Sequence, residues 1–294
     1  MLAIIEAAFA VIVWRASFIA TKLALQSVLP ITIVWLRFSM GVLILGAVVC
    51  LRRQISLPQG RDWLYFALLG TLGITFHQWL QSNGLITSQA STTAWIVAST
   101  PVIIAVLGWL FLKEKINWVK AGGIILAIFG VALVVSRGNL ASLVKGQFGS
   151  PGDILILVSA PNWAIFSVIS RYGLKTQPAA RMMFYVMVFG WIGVTILFLV
   201  GPGFRDIANL DLQGWLAVGF LGVFCSGLAY IFWYDALQAL PASQVGAFLY
   251  LEPLVAVVVA ALLLSETATL SSLFGGGIIL FGVWLVNLQV KKSR

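Results

Sequence analysis

The sequence predicts an all-α membrane protein in which ten transmembrane helices form two inverted five-helix repeats, with both termini in the cytoplasm. Three observations lead to this fold class: an apolar composition, ten apolar stretches of spanning length, and an internal repeat offset by 152 residues. Of the 294 residues, 61% are hydrophobic and 9% are charged, and the mean hydropathy is +1.04. Because a water-soluble domain does not tolerate such a composition, the chain is expected to lie in a bilayer.

A helix needs about 20 consecutive apolar residues to cross a hydrocarbon core about 30 Å thick. Ten stretches of about this length follow one another along the chain. They comprise residues 3–25, 31–51, 63–86, 91–112, 117–136, 152–173, 182–201, 213–238, 242–264 and 270–289.

Charged, polar or helix-breaking residues separate these stretches and justify each boundary in turn. In chain order the separators are Pro30, Arg52 with Arg53, Gln89, Lys113 to Lys115, Arg137 with Gly138, Lys175, Gly201 to Gly203, Pro241, and Ser265 with Glu266. The longest connection runs from about 137 to 152. A segment of that length is too short for a soluble domain.

The two halves of the sequence resemble each other. Trp14 matches Trp163 at a spacing of 149 residues, and six further matches occur at a spacing of 152 residues. These pairs are Trp63 and Trp215, Leu69-Gly70 and Leu221-Gly222, Ala90-Ser91 and Ala242-Ser243, Pro101 and Pro253, Glu114 and Glu266, and Phe129-Gly130-Val131 and Phe281-Gly282-Val283. The chain therefore divides into a first repeat at 1–138, a connecting loop at 139–151 and a second repeat at 152–294.

A repeat of five spans crosses the membrane an odd number of times, so its second copy is inserted upside down. The loop charges agree with this inversion. Lys113 and Lys115 of the first repeat become Ser265 and Thr267 in the second. This is the change expected when a cytoplasmic loop is copied to the outer side.

Basic residues set the orientation. With the N-terminus in the cytoplasm, twelve of the eighteen Lys and Arg residues lie in inward loops. These loops and anionic lipid account for the net charge of +9, so nucleic acid is not an expected partner. Lys22 and Arg37, nearer the predicted outer interface, are expected to extend their charges towards the membrane surface.

Polar and aromatic side chains within the spans are the candidate substrate-binding groups. His77 and Gln81 share one face of the third span, and Tyr230 and Tyr234 have the same spacing in the eighth. A lone histidine in a membrane span needs a partner and often marks a pathway. The alternative for the aromatic residues is the interfacial belt. The remaining candidates are Trp14, Ser17, Trp95, Ser99, Trp163 and Tyr250.

Arg15 and Glu252 are intramembrane charges, and we expect them to act in coupling or gating. Arg15 either meets a substrate carboxylate or Glu252, or it snorkels or forms a structural ion pair. Glu252 either carries a coupling proton or serves helix packing and gating. It precedes Pro253, whose missing amide allows a hinge, and Pro101 occupies the matching position of the first repeat.

The sequence offers no chemistry for a cofactor. One histidine and two cysteines do not provide an ordinary metal site or a disulfide framework. The absence of a Gly-x-x-x-x-Gly-Lys phosphate loop argues against direct use of ATP. No catalytic residue, metal or cofactor is therefore expected.

The sequence resembles the drug/metabolite transporter superfamily, in particular its ten-helix members with EamA-type repeats. The resemblance covers the entire chain and depends on Trp14 with Ser17-Phe18, Pro101 with Leu110, Leu112 and Glu114, and Leu251-Glu252-Pro253-Leu254 followed by Leu262-Leu263-Leu264-Ser265-Glu266. One departure is Arg15, at a position that is usually glycine in this family.

The resemblance implies a secondary transporter that exports small metabolites by alternating access through a central cavity, most like bacterial aromatic amino acid exporters. It implies a multi-pass monomer in the bacterial inner membrane, with a small-molecule substrate and the lipid bilayer as its partners. The runner-up cargo is a hydrophobic cation or other drug-like solute. A polytopic membrane enzyme would need clustered carboxylates or His/Asp pairs, whereas the nine acidic residues are scattered singly.

Overall fold

The structure is a computed structural model that describes residues 2–112, 115–239, 252–264, 266 and 269–288. Within these ranges the regular secondary structure is helical and contains no strand. The helices of the first half are α1 (Leu2–Ala24), α2 (Pro30–Leu51), α3 (Asp62–Gly70, a π-helical segment Thr71–Phe76, and His77–Thr87), α4 (Ala90–Ala98 and Thr100–Leu112) and α5 (Trp118–Val135).

The second half continues in the same manner. Its helices are α6 (Pro151–Gly173), α7 (Ala179–Val200), α8 (Leu212–Phe220, a π-helical segment Leu221–Leu228, and Ala229–Ala239), α9 (Glu252–Leu264) and α10 (Leu270–Asn287). Two short helices, Leu140–Val144 and Phe204–Ile207, lie in the connections.

Eight helices within the described ranges, all except α3 and α9, are long and apolar enough to cross a membrane. Polar residues in the second half of α3, such as His77 and Gln81, lower its hydropathy, and α9 is described for only 13 residues. The all-helical membrane class is thus confirmed. Ten spans, the inverted arrangement and the location of the termini stay predictions.

Local sequence explains where several helices begin. Pro30 starts α2 at a position where the missing amide costs nothing. Ser150 and Asp153 form a capping box at the start of α6, in which each side chain accepts the backbone N–H of the other. Asn117 caps α5 and Thr269 caps α10 through a single hydrogen bond each, in which the side-chain oxygen accepts a backbone N–H of the first helical turn.

Carboxylates from loops of the second half cap helices of the first half. Glu266 accepts hydrogen bonds from the backbone N–H groups of Ala90 and Ser91, at 2.9 and 3.1 Å. Asp206 accepts one from the backbone N–H of Leu29, at 2.9 Å, where α2 begins. These bonds satisfy amides that have no partner within their helix, and the negative charge complements the helix dipole.

The two π-helical segments occupy equivalent positions in the two halves. Shifted by 152 residues, Thr71–Phe76 becomes 223–228, which lies inside Leu221–Leu228. A π-helical turn leaves backbone carbonyls available to other donors. Trp14 of α1 donates its indole N–H to the carbonyl of Cys225 at 3.0 Å, and Asn162 of α6 donates its amide to the carbonyl of Leu72 at 2.8 Å. Each segment is therefore held by a helix from the other half.

Helices α5 and α10 pack closely and antiparallel. A Cβ atom at Gly123, early in α5, would lie 2.6 Å from the carbonyl oxygen of Gly282, late in α10. A Cβ atom at Gly130, late in α5, would lie 2.7 Å from the carbonyl oxygen of Gly275, early in α10. Glycine at these contacts allows the two backbones to touch.

Candidate functional site

Five of the predicted substrate-binding residues lie in one buried region where α1, α3, α6 and α8 meet. The ring centroids of Trp14 and Tyr230 are 5.4 Å apart, and those of Tyr230 and Tyr234 are 6.5 Å apart. The His77 and Trp163 rings are 4.7 Å apart. Both tyrosines belong to one hydrophobic core, against which Trp14 and Trp163 also pack. We call these five residues the aromatic cluster.

Hydrogen bonds fix the orientation of Trp14 at one edge of this cluster. The indole N–H of Trp14 donates to the carbonyl of Cys225, and the backbone carbonyl of Trp14 accepts a hydrogen bond from the Ser17 hydroxyl. The ring centroids of Trp14 and Trp233 are 5.3 Å apart. Because its polar atom is occupied, Trp14 has only its aromatic face to offer a ligand.

His77 presents a polar atom inside the cluster. Its side chain is 5% exposed, and within the described part of the chain its Nδ1 atom has no hydrogen-bond partner. A buried nitrogen of this kind is costly unless a ligand or water pairs with it. Gln81, one turn later, is half-buried. Of these two residues, His77 belongs to the aromatic cluster through its contact with Trp163, and the role of Gln81 stays a prediction.

Arg37 is the functional candidate that sequence reasoning missed. The prediction that it extends to the membrane surface is wrong, because its side chain is only 5% exposed. It turns inwards from α2, and its Nε donates to the Ser226 hydroxyl at 3.0 Å while Nη1 donates to the Gln78 amide oxygen at 3.3 Å. The guanidinium carbon of Arg37 also lies 5.0 Å from the centroid of the Phe38 ring. The signal in the sequence was the polar pair Gln78 and Ser226 within apolar helices.

Trp95 and Ser99, also predicted to bind substrate, lie in another environment. The Trp95 ring packs against Gly276 of α10, where a Cβ atom would approach it to 2.4 Å, and belongs to the core between α4, α5 and α10. The Ser99 hydroxyl donates to the Ile96 carbonyl, and Ser99 borders a cavity of about 180 Å³ lined by apolar side chains. The structure therefore does not join them to the aromatic cluster.

The predicted coupling and gating residues are only partly described. The Arg15 side chain is buried, with its guanidinium carbon 5.3 Å from the centroid of the Phe18 ring. Glu252 and Pro253 belong to the first turn of α9, but their side chains, like the whole of Tyr250, lie outside the described residues.

Pro101 interrupts the hydrogen-bond pattern of α4. It has no amide to donate to the carbonyl of Val97, four residues earlier, and the hydroxyl of Thr100 donates to that carbonyl instead, at 2.7 Å. The helix breaks here between Ala98 and Thr100. The α-helical pattern is therefore interrupted at Ser99, two residues before Pro101, and the role of Pro101 in gating stays a prediction.

A second polar site lies where α1 ends and α4 begins. A cavity of about 460 Å³ is lined by Lys22, Gln26, Gln89, Glu266 and four apolar residues. The Lys22 ammonium is 3.8 Å from a carboxylate oxygen of Glu266, and its side chain is 23% exposed. Among the described residues no group of three or more His, Cys, Asp or Glu side chains could hold a metal ion.

Comparison with known proteins places this arrangement among transporters. The profile of the EamA-like transporter family matches residues 1–136 and 150–288. YvbV of Bacillus subtilis, named an uncharacterized transporter, is 30% identical over 98% of this chain and 92% of its own. A Streptantibioticus cattleyicolor protein named a probable terminal-alkyne amino-acid exporter is 26% identical over 81% of this chain and 77% of its own. A solved crystal structure shares the fold, with a TM-score of 0.66, 19% identity, and coverage of 97% of this chain and 98% of its own.

Proposed function

The chain belongs to the EamA-like transporter family and is a multi-pass membrane protein, and from this premise we propose that it exports amino acids, in particular aromatic ones. The observation that carries the proposal is the aromatic cluster, where ring faces lie beside the unpaired Nδ1 of His77 and the buried charge of Arg37. Such a surface suits a solute with a planar ring and polar backbone groups. The name of the Streptantibioticus relative supports the same substrate class.

We propose that transport proceeds by alternating access between two inverted five-helix repeats, at 1–138 and 152–294. Three features support this architecture: the family profile matches each half separately, the π-helical segments are equivalent, and α5 and α10 pack antiparallel. Exchanging the conformations of two such halves exposes a central site to each side in turn. The protein acts as a monomer in the bacterial inner membrane with both termini cytoplasmic.

The alternative cargo, a hydrophobic cation, would need an accessible acidic group near the aromatic cluster. The buried Arg37 lies against Phe38, in the same hydrophobic core as Tyr230 and Tyr234, and its positive charge repels a cation. The Glu266 carboxylate lies in the separate cavity beside Lys22. Electrostatics therefore favours a solute that carries a carboxylate.

Uptake into proteoliposomes tests the substrate class. Purified protein is reconstituted and offered radiolabelled phenylalanine, tyrosine, leucine and a hydrophobic cation, with protein-free vesicles as the control. We expect the aromatic amino acids to move fastest. Transport of the cation with no transport of any amino acid would overturn the proposed function.

Replacing His77 or Trp163 by alanine is expected to lower the initial rate of aromatic amino acid transport at least about fivefold, because each substitution removes half of an aromatic contact in the cluster. Membrane insertion should remain normal. The matched control is Trp118→Ala, since Trp118 is 94% exposed at the start of α5. Wild-type rates in the His77 and Trp163 variants would remove both residues from the site.

We further propose that Glu252, with Arg15, Pro101 and Pro253, couples or gates the transition between states. If Glu252 carries a proton, a pH gradient imposed across the vesicles should accelerate transport in the wild type but not in Glu252→Gln. The readout is the ratio of initial rates with and without the gradient. A wild-type rate that is indifferent to the gradient would eliminate proton carriage and leave Glu252 with a gating role.

A further inference from the structure

We propose that Arg37 binds the carboxylate of the transported solute, and that Gln78 and Ser226 position its guanidinium for this purpose. The inference rests on the proposed function, because it assigns one part of the solute to one residue of the same site. It concerns a side chain on α2, a helix that supplied none of the residues predicted from sequence to bind substrate.

The first argument is charge balance. Arg37 is 5% exposed in an apolar helix, and both of its hydrogen-bond partners are neutral. The ion pairs recorded among the described residues involve Lys22 and Arg52 instead. A buried cation in a membrane protein is costly unless a negative charge accompanies it. A solute carboxylate would supply that charge, and the cost of the empty site favours its binding.

The second argument is hydrogen-bonding capacity. A guanidinium has five N–H donors, and within the described residues Arg37 uses Nε for Ser226 and Nη1 for Gln78. Its Nη2 makes no hydrogen bond with a described residue. The two existing bonds hold the plane of the group, so the remaining donors form a preoriented fork. Such a fork matches the geometry of a carboxylate.

The third argument is position. The guanidinium of Arg37 lies against the ring of Phe38, and Phe38 belongs to the same hydrophobic core as Tyr230 and Tyr234. A carboxylate on Arg37 therefore places the rest of a small amino acid against the aromatic cluster. The unpaired Nδ1 of His77 is a second polar atom available to the same solute. Aromatic faces and a cation side by side discriminate an amino acid from its decarboxylated amine.

The fourth argument links binding to movement. Ser226 lies within the π-helical segment of α8, and Gln78 lies two residues beyond the π-helical segment of α3. The guanidinium of Arg37 thus connects the π-helical region of α3 in the first half with that of α8 in the second half. A solute bound to it contacts a junction that must rearrange when the halves exchange conformations. π-Helical turns are frequent at functional sites of this kind.

The test compares an amino acid with its amine. Proteoliposomes containing wild type or Arg37→Gln are offered phenylalanine and phenethylamine, and initial rates and thermal unfolding midpoints are measured. We expect the wild type to transport phenylalanine at least tenfold faster than phenethylamine. In Arg37→Gln, phenylalanine transport should fall at least tenfold, with an unfolding midpoint no lower than that of the wild type, because the variant no longer buries a charge.

The matched control is Arg61→Gln, which removes the same charge from an exposed residue and should preserve both rates. Unchanged discrimination in Arg37→Gln, or equal wild-type transport of acid and amine, would overturn the role of Arg37 while leaving amino acid export intact. If the wild type moves neither compound, the proposed function fails as well. Should Arg37→Gln not fold, competition in the wild type decides: phenylalanine amide inhibiting as strongly as phenylalanine would refute the proposal.

Discussion

Gly123→Leu is expected to destabilise the protein by about 3 kcal/mol, because there is no room for a side chain at this point of the α5–α10 contact. A Cβ atom would lie 2.6 Å from the carbonyl oxygen of Gly282 and 2.9 Å from Cβ of Leu285. Neither obstacle is the flexible end of a side chain, so the two helices must separate. A loss of this size is a large part of the total stability of most proteins. Thermal unfolding of the detergent-solubilised protein, followed by size-exclusion chromatography, measures the effect.

Gly122→Leu is the matched control for this prediction. Gly122 is the preceding residue of the same helix, and a Cβ atom there would meet nothing within 4 Å. The two variants have the same composition and the same gain in helix propensity. We expect Gly122→Leu to unfold within a few degrees of the wild type. Equal unfolding temperatures for the two variants would show that the α5–α10 contact is not tight.

Hydropathy was sufficient to find most of the helices but gave no information on their internal geometry. The spans predicted at 3–25 and 31–51 correspond to Leu2–Ala24 and Pro30–Leu51. The π-helical segment Thr71–Phe76 was not predicted, because hydropathy does not distinguish a π-helical turn from an α-helical one. It depends on a partner from another helix, the side chain of Asn162. Contacts of this kind follow from tertiary packing, which periodicity does not reveal.

The candidate site was predicted in part for the same reason. Residue type identified His77 and Trp163, since a polar ring in an apolar span requires a partner, and the structure places them in contact. Arg37 was misjudged because its place in the sequence indicates depth in the membrane but not the side of the helix. Trp95 is, like Trp163, a tryptophan within an apolar span, and the sequence does not distinguish the two. In the structure, however, Trp95 packs against Gly276. The glycine that accommodates it lies far away in sequence.

Glu266→Ala is expected to destabilise the protein by about 2–3 kcal/mol, which is the largest loss of stability that we predict for removal of a charged side chain. The Glu266 carboxylate accepts the backbone N–H groups of Ala90 and Ser91 and the hydroxyl of Ser91, at 2.9, 3.1 and 2.8 Å. Without it, two amides at the start of α4 lose their partners. The sequence singled out this glutamate through its repeat mate Glu114, but only the structure assigns it a capping role. Thermal unfolding in detergent provides the measurement.

Two further variants separate the cap from the neighbouring ion pair. Lys22→Met removes an ammonium that lies 3.8 Å from Glu266 and is 23% exposed, and a partly exposed pair of this length contributes at most about 1 kcal/mol. Glu266→Gln keeps one acceptor oxygen and should have an intermediate effect. The expected order of destabilisation is therefore Glu266→Ala, then Glu266→Gln, then Lys22→Met. If Lys22→Met proved as destabilising as Glu266→Ala, the ion pair and not the helix cap would be the source of stability, because the cap is intact in that variant.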